Sequence, residues 1–349
     1  MLSLICRLAP VLTVCVLVLA VSANAAERAG AASQTGRSAG APAQPALQLV
    51  NPQAVDQDDM CVWRSPREAS ESLIITSDKS ANYVFVYDLQ GKLLQSVPVP
   101  KPGNIDIRQN VKFHRETLDV VVVNQRKGFQ LVCFKVDPAT RQLVRLDKEP
   151  LLTGPNYGGC LSQSRQNGGL SFLCTSQAGS VEQHQLWLND KGEMLNRKVR
   201  DIPIGKCEGA VADDEAGVYF ITEEAVGVWK VDADPESSAS PVLIARVGAD
   251  GLQGDLEGVA LVTRGDGMKS LLVSDQGRNR YVAFSASAPY AWQGEFGIAG
   301  AEQTDGIEAV AFDLGPAFPR GIFCCHTDVA PRPVLVTPWP AVEACLQSK

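Results

Sequence analysis

The sequence predicts an all-β protein, a six-bladed β-propeller built from four-stranded antiparallel blades. Short apolar runs separated by Gly, Asp, Asn and Pro fill the chain, and we find almost no convincing helical period. A strand–turn–strand unit is visible at 83–94 and again at 185–195, each time with glycine in the turn. Weaker copies of this unit begin near Leu131, Val226, Tyr281 and Pro333. The interval of roughly 44 to 54 residues is typical of propeller blades.

Each hairpin is preceded by a further apolar run that we interpret as a strand. These runs cover 72–76, 118–124, 169–175, 217–222, 270–274 and 320–324. Six hairpins with a preceding strand each indicate six blades of four strands. The segment from about Leu47 is expected to supply a closing strand to the last blade. A two-sheet sandwich would also explain the strands, but it does not explain the regular repeat.

The first residues are predicted to be an export signal. Arg7 gives a short positive region, 11–21 is apolar but short for a membrane span, and 23–25 fits a small–x–small cleavage site. We therefore expect a signal peptide at 1–25, a flexible low-complexity leader at 26–45 and one propeller domain at 46–349. An uncleaved anchor is the alternative. Cleavage would leave a secreted or periplasmic protein without stable membrane association, which we expect to be a monomer.

The composition argues against nucleic-acid binding, because the net charge is −7 and no basic stripe is present to track phosphates. The chain has ten cysteines, two of them in the expected signal. Export would permit disulfides, but the sequence does not choose among the pairings. Cys133 and Cys174 lie in strand-like runs, where buried free thiols are expected.

One acidic signature returns along the chain beside short apolar runs. It comprises Asp58-Asp59, Asn104-Ile105-Asp106, Glu208-Gly209, Asp255-Leu256-Glu257-Gly258 and Asp305-Gly306-Ile307-Glu308. Loops that enter the innermost strands of a propeller meet at one mouth of its channel, so these carboxylates are expected to converge. Carboxylates that lie together repel one another unless a cation is among them, and an oxygen-rich site favours calcium over zinc. Ordinary turn and solvating residues are the alternative interpretation.

These motifs, taken in order, resemble those of the β-propeller phytases, calcium-dependent phosphatases that act on inositol hexakisphosphate. The similarity runs from about Asp56 to Trp339 and is carried by 56–63, 104–108, 208–215, 223–230, 255–258, 274–279 and 304–308. The resemblance implies several calcium ions at the channel mouth, one of them held by Asp59 with the backbone carbonyls of Met60 and Ile105. The full set of predicted metal ligands is Asp59, Asp106, Glu208, Asp255, Glu257, Gln276 and Asp305. The residues expected to bind phosphate or to assist catalysis are Lys79, Tyr157, Arg126 and Glu224.

The chain departs from the family in two of its basic residues. Gln177 stands where the family has a phosphate-binding lysine, and Gln125 stands where it has an arginine, with Arg126 one place later. The metal half of the site is therefore expected to be kept, while the basic half is reduced. This departure leaves open a second function, a calcium-stabilised propeller that binds phosphorylated ligands with little or no turnover.

The sequence thus predicts calcium-dependent hydrolysis of phosphate monoesters of myo-inositol phosphates, either phytate or its partly dephosphorylated products, by metal-activated water. The resemblance thus implies a phosphoric monoester hydrolase of the 3-phytase type. A propeller lactonase is a third and less favoured alternative. None of the three histidines lies in an Arg-His-Gly context, which argues against a phosphohistidine enzyme. We expect His184 and His326 in turns or at the surface rather than as ligands.

Overall fold

The computed structural model describes residues 40–347, so the expected signal peptide and most of the expected leader lie outside it. Within these residues the chain forms six antiparallel β-sheets. The innermost strand of each sheet contacts the innermost strand of the next, and the sixth contacts the first. The sheets therefore form a closed ring, and the predicted six-bladed β-propeller is confirmed.

The blades follow the chain order after a first short strand, β1 (Leu47–Leu49). Blade 1 contains β2 (Gln57–Trp63), β3 (Leu73–Asp78), β4 (Tyr83–Asp88) and β5 (Leu93–Pro98). Blade 2 contains β6 (Pro102–Lys112), β7 (Thr117–Gln125), β8 (Gln130–Asp137), β9 (Gln142–Arg145) and β10 (Leu151–Leu152). Blade 3 contains β11 (Gly159–Gln163), β12 (Leu170–Cys174), β13 (Val181–Leu188) and β14 (Met194–Ile202).

The second half of the ring has the same order. Blade 4 contains β15 (Cys207–Asp213), β16 (Val218–Glu223), β17 (Gly227–Asp232) and β18 (Val242–Arg246). Blade 5 contains β19 (Leu256–Thr263), β20 (Lys269–Asp275), β21 (Arg280–Ser285) and β22 (Trp292–Phe296). Blade 6 contains β23 (Ile307–Val310), β24 (Ile322–Cys325), β25 (Val334–Pro338) and β1. Two 3₁₀ helices (Ala69–Glu71 and Gln276–Arg278) and the helix α1 (Trp339–Gln347) complete the described chain.

The ring closes through its first strand, as expected. β1 pairs with β25 in antiparallel register, with Leu47 opposite Val336 and Leu49 opposite Val334. Leu49 is fully buried, so the closing strand contributes to the core of blade 6 as well as to its hydrogen bonds. Ordered structure begins earlier than the predicted domain start, because the buried Ala43 forms a bridge with Ile298.

Blade 2 carries a fifth strand because its outer strand is interrupted. β9 and β10 both pair with the same edge of β8. Between them the Asp147 carboxylate accepts the backbone N–H of Cys133 at 2.7 Å, and the N–H of Leu146 donates to the carbonyl of Cys133 at 2.8 Å. A side chain thus replaces one step of the strand ladder, so the two strands together occupy the place of one.

The core lies between the blades. Each sheet is covered on both faces by its neighbours, so its central strands are apolar without alternation, as in the fully buried run Val120–Val123 of β7. The eight cysteines of the described chain are free, and Cys133 and Cys174 are buried thiols as predicted. None of the helices in residues 40–347 has the length and hydrophobicity that a membrane-spanning helix needs.

Candidate active site

Two sets of residues meet at one mouth of the channel. The inner strand of each blade begins there, and its antiparallel neighbour, the second strand, ends there. The residues that directly follow the six second strands are Lys79, Arg126, Thr175, Glu224, Gln276 and His326. The residues at the start of the inner strands, or in the loops before them, include Asp58, Glu208, Asp255, Glu257 and Asp305. Basic groups from blades 1 and 2 therefore face carboxylates from blades 1, 4, 5 and 6.

Glycine stands where neighbouring inner strands approach most closely. The N–H of Gly258 donates to the carbonyl of Asp305 at 2.8 Å, and a Cβ at Gly258 would collide with that oxygen. The same steric relation holds for Gly158 and Glu208, Gly209 and Glu257, and Gly306 and Asp58. Each of these glycines thus packs against the backbone of an acidic residue in a following inner strand. This contact explains why glycine follows the carboxylate in the sequence signature.

Asp58 lies between two cations at the centre of the mouth. Its side chain is 1% exposed, with Lys79 Nζ 2.8 Å from Oδ1 and Arg126 Nη2 2.9 Å from Oδ2. Burial alone would raise the pKa of Asp58, but the charges of Arg126 and Lys79 outweigh it and hold the pKa below its ordinary value. Lys79 also donates to Asp305 Oδ2 at 2.5 Å, which joins blade 1 to the loop before blade 6.

Arg126 is held by contacts on both of its sides. Its guanidinium hydrogen-bonds to the Glu208 carboxylate as well as to Asp58. Nε donates to the carbonyl of Tyr157 at 2.6 Å, and Cζ lies 4.5 Å from the centre of the Tyr157 ring. Burial, followed by the charge of Glu208, raises the pKa of the Tyr157 hydroxyl, so this residue is a neutral donor at the mouth.

At the same mouth, Glu224, Asp255 and Glu257 form a carboxylate cluster. Each offers one oxygen within 4.8 Å of the oxygens of the other two. Glu224 Oε1 and Glu257 Oε2 are buried without a hydrogen-bond partner. Burial, followed by the charges of Glu208 and Glu224, raises the pKa of Glu257 to about 11. Buried, unpaired carboxylate oxygens of this kind fit a hard cation such as calcium, which takes oxygen ligands.

Comparison with known proteins assigns the chain to a family. A sequence profile of the phytase family matches residues 8–330. A 3-phytase of Bacillus subtilis strain 168 is 30% identical over an alignment of 279 residues that covers 76% of this chain and 73% of that protein. The chain belongs to the phytase family. The resemblance carried by the motifs is confirmed, and so is the predicted class of phosphoric monoester hydrolase.

Two solved structures share the propeller fold of this phytase at low sequence identity. A regucalcin, a calcium-binding protein of Agrobacterium tumefaciens, is 10% identical with a TM-score of 0.53, covering 84% of this chain and 95% of its own. An auxiliary nutrient binding protein of Bacteroides thetaiotaomicron is 11% identical with a TM-score of 0.51, covering 80% of this chain and 68% of its own. At such identities the likeness shows the fold alone.

The mouth of this phytase brings together most of the residues predicted from the sequence. They are Lys79, Arg126, Tyr157, Glu208, Glu224, Asp255, Glu257, Gln276 and Asp305. Gln276 joins the group because its Nε2 donates to Asp305 Oδ1 at 2.7 Å. Burial raises the pKa of Glu208 to about 7, with Arg126 acting against it and Asp58 adding to it. The individual roles of these residues stay predictions.

Asp59 and Asp106 point into the channel rather than joining this group. Asp59 Oδ2 accepts the N–H of Ile105 at 3.0 Å. The carboxylate therefore lies beside Ile105, whose carbonyl the resemblance predicts to bind the same calcium ion. Asp106 accepts the N–H of Leu161 at 2.8 Å and pairs with Arg108 at 3.1 Å, so protein donors already surround it. Both line a cavity of about 40 Å³ that reaches Glu308.

The structure adds Asp58, Lys206 and His326 to the site and corrects one expectation. His326 and His184 were expected in turns or at the surface, but both are buried. His326 Nδ1 accepts the N–H of Asp305 at 3.1 Å, and Nε2 is buried without a hydrogen-bond partner, 3.7 Å from Asp56 Oδ1. With Asp56 and Asp328, the ring forms a second group of potential metal-ligand atoms, which all lie within 4.8 Å of one another. The sequence signal for it is its position directly after a second strand.

Proposed function

We propose that this phytase hydrolyses phosphate monoesters of myo-inositol phosphates with calcium, with phytate and its partly dephosphorylated products as substrates. One observation carries the proposal: buried carboxylate oxygens without partners, on Glu224 and Glu257, lie at the same mouth as the cations Lys79 and Arg126. A cluster with both signs of charge suits a metal-bound phosphate. The relative from Bacillus subtilis, which is named a 3-phytase, supports the same substrate class.

The residues that would hold calcium are Asp59, Glu208, Glu224, Asp255, Glu257, Gln276 and Asp305. When bound, calcium supplies positive charge that screens the phosphate dianion and promotes ionisation of an attacking water. Lys79 and Arg126 would orient a phosphate through charge-assisted hydrogen bonds, and the neutral Tyr157 hydroxyl would donate to it. Glu224, with one unpartnered oxygen, is positioned either to ligate metal or to accept the proton of the water.

The second candidate function, binding of phosphorylated ligands with little turnover, has an observation in its favour. Lys79 and Arg126 each bond to two carboxylates, and Gln125, which replaces a family arginine, is 5% exposed with its amide donating to the carbonyl of Lys127. Phosphate must therefore compete with carboxylates for both cations. Calcium on the carboxylates would reduce this competition.

A phosphate-release assay separates the two functions. We expect the folded protein to release phosphate from phytate and from lower inositol phosphates with millimolar calcium, and to stop when a chelator is added. Calorimetric binding of phytate in calcium without any release would favour the binding function. Neither binding nor release would contradict both. We also propose that the protein is exported and acts as a secreted or periplasmic monomer.

A further inference from the structure

A third cation lies at the mouth, on a part of the ring where the sequence signature predicted only carboxylates. Lys206 stands in the loop between β14 and β15, directly before the inner strand of blade 4. Its Nζ lies 2.5 Å from Glu224 Oε2. The Glu224 oxygen that faces away from this bond, Oε1, is the buried one without a partner. One carboxylate thus connects Lys206 to the candidate calcium cluster.

Lys206 differs from the other two cations in exposure and in unused donors. Its side chain is 53% exposed, against 23% for Lys79 and 11% for Arg126. An ammonium group has three N–H donors, and the structure gives Lys206 one acceptor, Glu224. Lys79 and Arg126 each serve two carboxylates. Among the cations of residues 40–347 that bond to carboxylates at the mouth, Lys206 is therefore the one best able to bind an incoming anion.

The backbone fixes Lys206 on both sides. The N–H of Glu224 donates to the carbonyl of Lys206 at 3.1 Å, and the N–H of Cys207 donates to the carbonyl of Ser176 at 3.1 Å. Blade 3 supplies the neighbouring part of the mouth with Thr175, Ser176 and Gln177, none of which is charged. Lys206 thus stands between this uncharged segment, which the backbone of the next residue contacts, and the carboxylate of Glu224, to which its side chain bonds.

We propose that Lys206 binds a phosphate group of the substrate directly, on the calcium side of the mouth, and thereby contributes to substrate affinity. The inference rests on the proposed function of this site and adds a residue to it. Glu224 holds the ammonium of Lys206 in place through Oε2. The two remaining N–H groups of Lys206 donate to oxygens of a phosphate monoester dianion. Together with Lys79 and Arg126, Lys206 would contact a polyphosphorylated ring from more than one side.

The test compares Lys206→Met with wild type and with Lys191→Met, an exposed lysine in the β13–β14 turn at the opposite end of the blade. We expect the KM for phytate to rise about tenfold in Lys206→Met, the effect of losing one charged hydrogen bond. Calcium affinity, measured by calorimetry without substrate, should not fall, because the substitution removes a positive charge from beside Glu224. Lys206→Arg should recover most of the affinity for phytate, and Lys191→Met should behave as wild type.

Three outcomes would overturn the inference: an unchanged KM, a KM effect that disappears at saturating calcium, or an equal effect in Lys191→Met. The second would mean that Lys206 acts on the metal and not on the substrate. If wild type releases no phosphate, the proposed function fails, and the inference is then decided by calorimetric phytate binding in calcium. Weaker binding by Lys206→Met alone would support it, and equal binding by all variants would contradict it.

Discussion

The guanidinium of Arg126, in blade 2, hydrogen-bonds to the carboxylate of Glu208, in blade 4, across the mouth and past the whole of blade 3. Blades 2 and 4 are not neighbours in the ring. The contact is made because Arg126 follows a second strand and Glu208 starts an inner strand, and both positions lie at the same end of the channel. Binding of a metal by Glu208 would therefore change the partners of a cation two blades away.

Glu208→Gln should reduce phosphate release by about 100-fold, because it removes a charge that holds metal and positions Arg126. Burial and like charges already disfavour the ionised form of Glu208, so the loss of the charge should leave the free energy of unfolding within about 1 kcal/mol. Steady-state phosphate release and urea unfolding measure the two effects. The exposed Glu149→Gln is the control. Full activity of Glu208→Gln would contradict its place in the metal site.

Removal of calcium should lower the melting temperature. The unpaired oxygens of Glu224 and Glu257 are available in the folded state, and a ligand that binds only this state stabilises it by mass action. At a calcium concentration 100 times the dissociation constant, the gain is about 2.7 kcal/mol. Thermal unfolding with excess calcium and with excess chelator provides the measurement. Identical melting temperatures would remove the evidence for a cation at this mouth.

Glu308→Gln should stabilise the metal-free protein at pH 8 but not at pH 5. Burial, followed by the charge of Asp106, raises the pKa of Glu308 from 4.5 to about 8. Between these values the folded protein keeps a proton that the unfolded chain loses, so the stability of wild type falls as the pH rises through this window. The amide does not titrate. We expect a difference on the order of 2 kcal/mol at pH 8 from urea unfolding in chelator. A difference independent of pH would exclude the raised pKa.

Gly258→Ala should destabilise the protein by about 1–3 kcal/mol and weaken calcium binding, because the new Cβ would collide with the backbone of Asp305 and displace that residue. Gly265→Ala is the matched control, since a Cβ there meets no atom within 4 Å. Urea unfolding and calorimetry measure the two effects. If both variants behave alike, the close approach of blades 5 and 6 does not require glycine.

Much of the fold was predictable because it repeats. The apolar run at 118–124 coincides with β7 (Thr117–Gln125), and the closing strand near Leu47 is β1. The interrupted outer strand of blade 2 was not predictable. It depends on Asp147 reaching the backbone of Cys133, a contact between side chain and backbone that no periodicity encodes.

The site was predictable where a residue type and its position in the repeat agreed. Glu257 and Asp305 carry both signals, since each is a carboxylate next to the start of an inner strand. His326 has the position but is neither a carboxylate nor a lysine or arginine, so its burial was missed. Lys206 lies in a loop outside the signature, and its place beside Glu224 depends on how far a loop of blade 3 reaches towards blade 4.

The pairing of β1 with β25 has a consequence for synthesis. The ribosome produces residues 47–49 early and residues 334–336 after all of the first five blades. The nascent chain must therefore keep Leu49, which is fully buried in the finished protein, without its partner strand until residues 334–336 have been made. Blades 1 to 5 are complete in sequence before the ring is able to close. A polypeptide interrupted before residue 334 leaves β1 as an unpaired edge, open to association with other chains.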